Sequence, residues 1–328
     1  MATQTRSRAA GRPLNVVLRP RSAAEAAYRS AVLAPGFEPQ PGLDLRYLGG
    51  RTIPRLTFTN VYLGSWGADE REQLDHALAA ATADAHLNNV LAQYFKGTTV
   101  SSTFVGSRTH AERVPTRVYK DTVEAIVTGL GRDGALAGLD LRSTVVCLIL
   151  PEGAVLVDGD SRGGHAERAI EHDEAVDSKH GLGGYHGSVH VVRGGRLKET
   201  VYYAVAVCSE GTNGIVAFPH PWQNVCATLY HELCEARTDP DVEDAIRAGA
   251  TPAGERLLGW YSPRGGEIGD IPMSEAGGDL SLVMKEVPLA DGSGTVPIQL
   301  MWSNAVDGPE GPIARPHAAA ATTRAPRA

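Results

Sequence analysis

The chain lacks any run of about 18 consecutive apolar residues, so no segment of its 328 residues is expected to span a bilayer. Its N-terminus also lacks the apolar core of a signal peptide, which points away from classical secretion and toward a cytoplasmic location. Cysteine is sparse. Cys147, Cys208, Cys226 and Cys234 fall in apolar segments, where a reduced thiol packs as a small hydrophobe. Cys226 and Cys234 lie on one expected helix at a separation of about 12 Å, too far for a bond, so a reducing compartment fits better than a disulfide framework. No internal repeat signals a solenoid or a propeller.

Positive charge is also scarce where a fold would be. The whole chain carries −7. Arg6, Arg8, Arg12, Arg19 and Arg21 give the first 24 residues +5 and residues 306–328 contribute +1, which leaves the body near −13. Binding a polyphosphate requires cations to displace its counterions, so nucleic acid is not an expected partner. Residues 1–43 read as a basic, flexible arm, 44–305 as one α/β domain, and 306–328 as a disordered tail rich in Ala, Pro and Arg.

What the chain does have is the run His231-Glu232-Leu233-Cys234-Glu235-Ala236-Arg237-Thr238-Asp239-Pro240, which sets an imidazole and two carboxylates on neighbouring turns of one helix. Residues i and i+4 lie on one face about 6 Å apart at Cβ, so His231 and Glu235 can converge on a single cation. In HExxH zinc hydrolases the residue after the first histidine is the general base, and Glu232 holds that place. Glu235 replaces the second histidine. A carboxylate gives zinc an oxygen and cancels part of its charge, which weakens the Lewis acid and lets manganese or calcium compete. The plain alternative is a solvated helical face.

The helix is expected to start near Pro221 and to run through Val225, Leu229, Tyr230 and Leu233 as an apolar stripe that ends before Pro240. Ionisable groups on so apolar a helix are costly unless paired or bound to a cation, which favours a site over a solvated face. Zinc also needs a third protein ligand. The glycine-rich stretch 259–270 returns Glu267 and Asp270, either of which could serve. Asp241 is a further candidate from its spacing after His231, weakened by Pro240 and by Thr238 standing where glycine is found in comparable motifs.

A second glycine-rich stretch, 181–188, reads as a loop that lets backbone approach a ligand. It carries Tyr185 and His186, which could orient substrate or donate to an oxyanion, and His186 could also bind the metal directly. The acidic stretch 158–179, with His165 and His172, reads as a surface loop, with calcium binding or covering a cleft as alternatives. Strands are predicted at 56–63, 144–150, 189–192 and 201–208, with a hairpin of 282–289 and 296–302. Helices are predicted at 68–95 with a break midway, at 120–130 and across the motif.

In their order, residues 45–50, Asn60-Val61-Tyr62-Leu63-Gly64-Ser65-Trp66, Cys147-Leu148-Ile149-Leu150, Gly184-Tyr185-His186-Gly187, the His231 motif, Gly259-Trp260-Tyr261, Glu267-Ile268-Gly269-Asp270 and Met301-Trp302-Ser303-Asn304 resemble the plant EXORDIUM, or phosphate-induced protein 1, family and its bacterial relatives. The resemblance covers residues 44–304. It implies a zincin-like fold: a mixed sheet backed by helices, with the motif helix lying across it below a substrate-facing edge strand. It also marks His231, Glu232, Glu235, Glu267 and Asp270 as the site. Plant members are discussed as extracellular growth and nutrient-response proteins rather than as proven proteases, so the resemblance supports a fold more firmly than an activity. They carry a cysteine where this chain has Ile271.

Together these features lead to the expectation of a soluble, zinc-dependent, metallopeptidase-like hydrolase acting on a peptide or protein. His231 and Glu235, with Asp270 or Glu267, would hold Zn2+, with Mn2+ or Ca2+ as alternatives. Glu232 would be the general base, and His186 and Tyr185 the oxyanion donors. Two other readings compete: a non-catalytic binding or signalling module on the same scaffold, and an effector or toxin cargo of a dedicated secretion machine.

Overall fold

The structure, a computed structural model, describes residues 32–110, 113–161, 176–193 and 197–321; the arm before Val32, His165 and His172 lie outside the described residues. The first half runs β1 (Arg46–Tyr47), β2 (Arg55–Leu63), α1 (Ala68–Ala83), α2 (Ala85–Leu91), β3 (Ser101–His110), β4 (Arg117–Tyr119), α3 (Lys120–Arg132), β5 (Thr144–Ile149) and β6 (Val155–Val157). It continues with β7 (Gly184–Arg193), β8 (Leu197–Ala206), α4 (Pro221–Thr238), α5 (Val242–Ala248), α6 (Pro252–Glu255), β9 (Trp260–Tyr261), α7 (Asp270–Glu275), β10 (Met284–Pro288), β11 (Thr295–Gln299), β12 (Met301–Ser303) and β13 (Gly308–Glu310).

A central mixed sheet of order β3-β2-β5-β8-β7 is parallel except for β7, which closes one edge antiparallel to β8. Helices cover both faces, which is why β5 is buried at every position and reads as a continuous apolar run instead of alternating. Tyr202, Ala204 and Ala206 of β8 face the layer of α1 and α4, whereas Tyr203 and Val205 face the layer of α3. The motif helix therefore lies against one face of the sheet, beside its antiparallel edge. Among the described residues no helix is long and apolar enough to cross a membrane.

The break expected within 68–95 falls at Asp84, whose Oδ1 accepts from the amides of His86 and Leu87, both at 2.9 Å, and so caps α2. Its Oδ2 accepts from Ala290 N at 2.6 Å, tying the same corner to the β10–β11 hairpin. At the start of α4, Pro221 takes the first turn, and Asn224 Oδ1 accepts from the amides of Ala217 and Phe218 at 2.9 and 2.8 Å.

Three sequence expectations require correction. The stretch 181–188 is mostly strand, because β7 begins at Gly184. A Cβ on Gly184 would stand 2.3 Å from Val205 O and 2.9 Å from Thr228 Cγ2, so this glycine permits close approach of sheet and helix and does not mark a loop. Strand β3 was not foreseen: Ser101-Ser102-Thr103-Phe104-Val105-Gly106-Ser107-Arg108-Thr109-His110 has too few apolar residues to signal a strand. It forms by backbone pairing with β2, with Phe104 packed on Phe58 at 5.1 Å between ring centroids.

Third, the domain extends beyond both expected boundaries. β13 pairs with β12 and is buried, Leu33 bridges Glu310, and Ala34 N donates to Pro309 O at 2.8 Å. Further on, Ile313 N and Ala320 N donate to His86 O and Gln93 O at 3.1 and 2.8 Å, so the chain up to Ala320 lies on the α2 side of the fold. Residues 322–328 lie outside the described residues.

Asp44 links this periphery to the core, since its Oδ1 accepts from Trp302 Nε1 at 3.1 Å. Burial raises its pKa to about 6, the Trp302 hydrogen bond opposes this, and Asp307 adds to it. The folded pKa thus lies above the unfolded value, so the favourable contribution is present at low pH and is lost as pH rises through about 6. Asp44→Asn keeps an acceptor for Trp302 without the charge. The variant is expected to match wild type near pH 4 and to exceed it near pH 8 by about 1 kcal/mol after screening of this half-exposed group. Urea midpoints at the two pH values test this, and an equal difference at both would reject it.

Candidate metal centre

Helix α4 is buried along most of its length, and its residues His231, Glu232 and Glu235 line a cavity of about 360 Å³. His231 Nε2 lies 3.0 Å from Glu235 Oε1, as the one-turn spacing predicts. Asp270, the first residue of α7, brings its Oδ1 to 3.7 Å from the same nitrogen. His231, Glu235 and Asp270 each offer a ligand atom, all within 4.8 Å of one another. Glu232 lies beside them with Oε1 at 4.0 Å from His231 Nε2, and it is only 4% exposed.

Strand β7 contributes His186 from the edge of the sheet. Its Nδ1 is 3.5 Å from both Glu232 Oε2 and Glu235 Oε2, and its Nε2 is 3.2 Å from the carbonyl oxygen of Asp239. Glu267 is turned toward this second ring, with Oε1 3.7 Å from His186 Nε2, and does not join the group formed by His231. Of the two acids left open by the spacing, Asp270 is the one that converges with His231 and Glu235.

Two expected participants do not join the cluster. Side chains alternate along β7, so Tyr185 faces the α3 layer, where it packs against Tyr203 at 6.2 Å between centroids and under Lys120. It lines the same cavity, but its hydroxyl has no hydrogen-bond partner among the described residues. Asp241 accepts from Tyr202 OH at 2.8 Å and takes no part in the cluster.

Gln299 of β11 was not foreseen, and it fixes the chemistry of His231. Its Nε2 donates to Gly269 O at 2.7 Å, which leaves its Oε1, 2.8 Å from His231 Nδ1, as an acceptor. Nδ1 is therefore a donor, and Nε2 is the nitrogen turned toward Glu235 and Asp270, free to bind a cation once deprotonated. The only hint in the sequence is an amide inside an otherwise apolar strand. The packing is tight here: a Cβ on Gly269 would stand 2.7 Å from the His231 ring. That glycine's amide and the Asp270 amide donate to Glu235 Oε1 at 3.1 and 3.2 Å.

The electrostatics are those of an anionic hollow. Against two imidazoles stand the carboxyl groups of Glu232, Glu235, Asp239, Glu267 and Asp270. Burial alone would lower both histidine pKa values, but the surrounding carboxylates reverse this and raise them well above the ordinary value. Burial raises the pKa of Glu232, with His231 and His186 opposing. It also raises Asp239 to about 7, and it raises Glu267 strongly. Asp270 is pushed to about 6, first by the charge of Glu235 and then by burial. Glu235 goes the other way: the two imidazoles outweigh its burial and hold it ionised.

Compared with protein-family models, with curated proteins and with solved structures, the chain matches none.

Proposed function

We propose that this protein is a zincin-like metallohydrolase that cleaves peptide bonds, with His231, Glu235 and Asp270 holding a zinc ion and Glu232 acting as general base. The observation that carries this reading is the convergence of His231 Nε2, Glu235 Oε1 and Asp270 Oδ1 at a cavity, with a buried spare carboxylate alongside. One nitrogen and two oxygens suit zinc or manganese. Calcium, which takes six to eight oxygens, fits them poorly. The antiparallel edge strand beside the cluster and the resemblance to the EXORDIUM family support the same reading.

A bound zinc ion would supply Lewis-acid polarisation of the scissile carbonyl and an acidified water. The rest falls to this chain's own side chains. Gln299 holds the His231 proton at Nδ1, so that Nε2 stays a ligand. Glu232, buried and with its pKa raised, takes the proton from the attacking water and passes it to the leaving amine.

Metal content and hydrolysis of a mixed peptide library, measured on the same preparation, test the proposal. A metal ion whose removal by chelator abolishes cleavage, and whose return restores it, is the expected result. Metal without turnover would turn the assignment to a binding module on this scaffold, and a metal-free chain after zinc supplementation would overturn it. Gln299→Leu leaves the His231 ring without its partner and is expected to weaken zinc binding about 10- to 100-fold. Competition with a chromophoric chelator reads this directly, and unchanged affinity would remove Gln299 from the site.

A further inference from the structure

We infer that a second divalent cation site adjoins the first, formed by His186 Nδ1, Glu232 Oε2 and Glu235 Oε2, so that Glu235 serves both ions, one through each oxygen. These three residues, all buried, offer ligand atoms within 4.8 Å of one another. The two histidines are arranged alike. His231 is tied at Nδ1 to Gln299, and His186 is tied at Nε2 to the carbonyl oxygen of Asp239. Each ring donates outward through one nitrogen and turns the other toward Glu235, at 3.0 Å from Oε1 and 3.5 Å from Oε2. A divalent cation at either inner nitrogen would take the place of the ring proton that otherwise faces Glu235.

Glu267 provides an independent observation. It is 7% exposed, and its Oε1 has no hydrogen-bond partner among the described residues, yet it is aimed at His186 Nε2 from 3.7 Å. The Asp239 carbonyl, 3.2 Å from Nε2, fixes the ring proton there, and the Glu267 carboxyl group stands behind it with Oε1 unpaired. Glu267 thus lies beside the second site, whereas Asp270 belongs to the first. The donor set of one imidazole and two carboxylates suits zinc or manganese.

The functional consequence rests on Glu232 being the general base. An ion on its Oε2 competes with proton transfer, so hydrolysis should rise to a maximum at one equivalent of metal and fall as the second binds.

Equilibrium dialysis of the full chain against Mn2+, with metal analysis and circular dichroism to verify folding, tests the site apart from activity. Wild type is expected to bind two ions, and His186→Gln and Asp270→Asn one each. A spin-coupled manganese signal in the electron paramagnetic resonance spectrum of wild type is expected as well, and it requires no variant. One uncoupled ion in wild type, kept by His186→Gln and lost in Asp270→Asn, overturns the second site and leaves the proposed hydrolase standing. One ion lost in His186→Gln and kept in Asp270→Asn upholds the His186 site and removes the ligand set proposed for hydrolysis. No ion in any form overturns both.

Discussion

Glu232→Gln is expected to lower kcat for peptide hydrolysis by about 10²- to 10⁴-fold while the metal at His231, Glu235 and Asp270 is retained. The substitution is nearly isosteric, so the cavity keeps its shape and the side chain loses only its capacity to take a proton. Glu232 faces His231 Nε2 at 4.0 Å and His186 Nδ1 at 3.5 Å from a position buried against solvent, where nothing else on α4 can replace it. Burial raises its pKa, which makes the carboxylate a stronger base than an exposed one. KM should change little, since the group is expected to act in the transition state more than in binding. Retention of more than a tenth of wild-type kcat would assign the proton transfer to another group.

Arg237→Ala is expected to destabilise the fold by about 3–5 kcal/mol, one of the larger effects available to a single substitution. Arg237 lies six residues after His231 on the same helix and is 1% exposed. Among the described residues its guanidinium has no carboxylate partner. Instead, Nη1 donates to Asn88 Oδ1 at 3.1 Å, and Nη2 donates to Pro54 O and Ser101 O, both at 3.0 Å. Those acceptors sit in α2, before β2 and at the start of β3, so one side chain joins the C-terminal end of the motif helix to two strands. Burial lowers its pKa, as expected of a cation held by neutral oxygens. Truncation would leave those acceptors unpaired and open a cavity of side-chain size. Arg237→Lys should recover little, because one ammonium cannot reproduce the planar fork. Urea unfolding of the three proteins gives the answer, and a loss below 1 kcal/mol in Arg237→Ala would show that the junction is held by the surrounding apolar contacts.

Much of the framework was legible from local pattern. The buried strands β2, β5 and β8 are runs of β-branched and aromatic residues, and the motif helix announces itself through Pro221, its apolar stripe and Pro240. Features that depend on distant backbone leave no local signal. Gly184 looked like loop because glycine has low strand propensity, and only the nearness of Val205 and Thr228 explains its place in β7. β3 carries almost no apolar signal and exists through its pairing with β2. Residues after 305 read as a tail on composition, yet β13 is buried against β12.

The candidate site divides along the same line. By itself the sequence determined the pair His231 and Glu235 with Glu232 beside them, because residues one turn apart on a helix have their separation fixed by helix geometry alone. Only the tertiary structure decided that Asp270, 35 residues beyond Glu235, meets this pair while Glu267 turns to His186, and that Gln299, 68 residues from His231, fixes its tautomer. The physical reason is range: helix geometry specifies neighbours within a turn or two, whereas strand register, side-chain alternation and loop path decide which distant groups share a cavity.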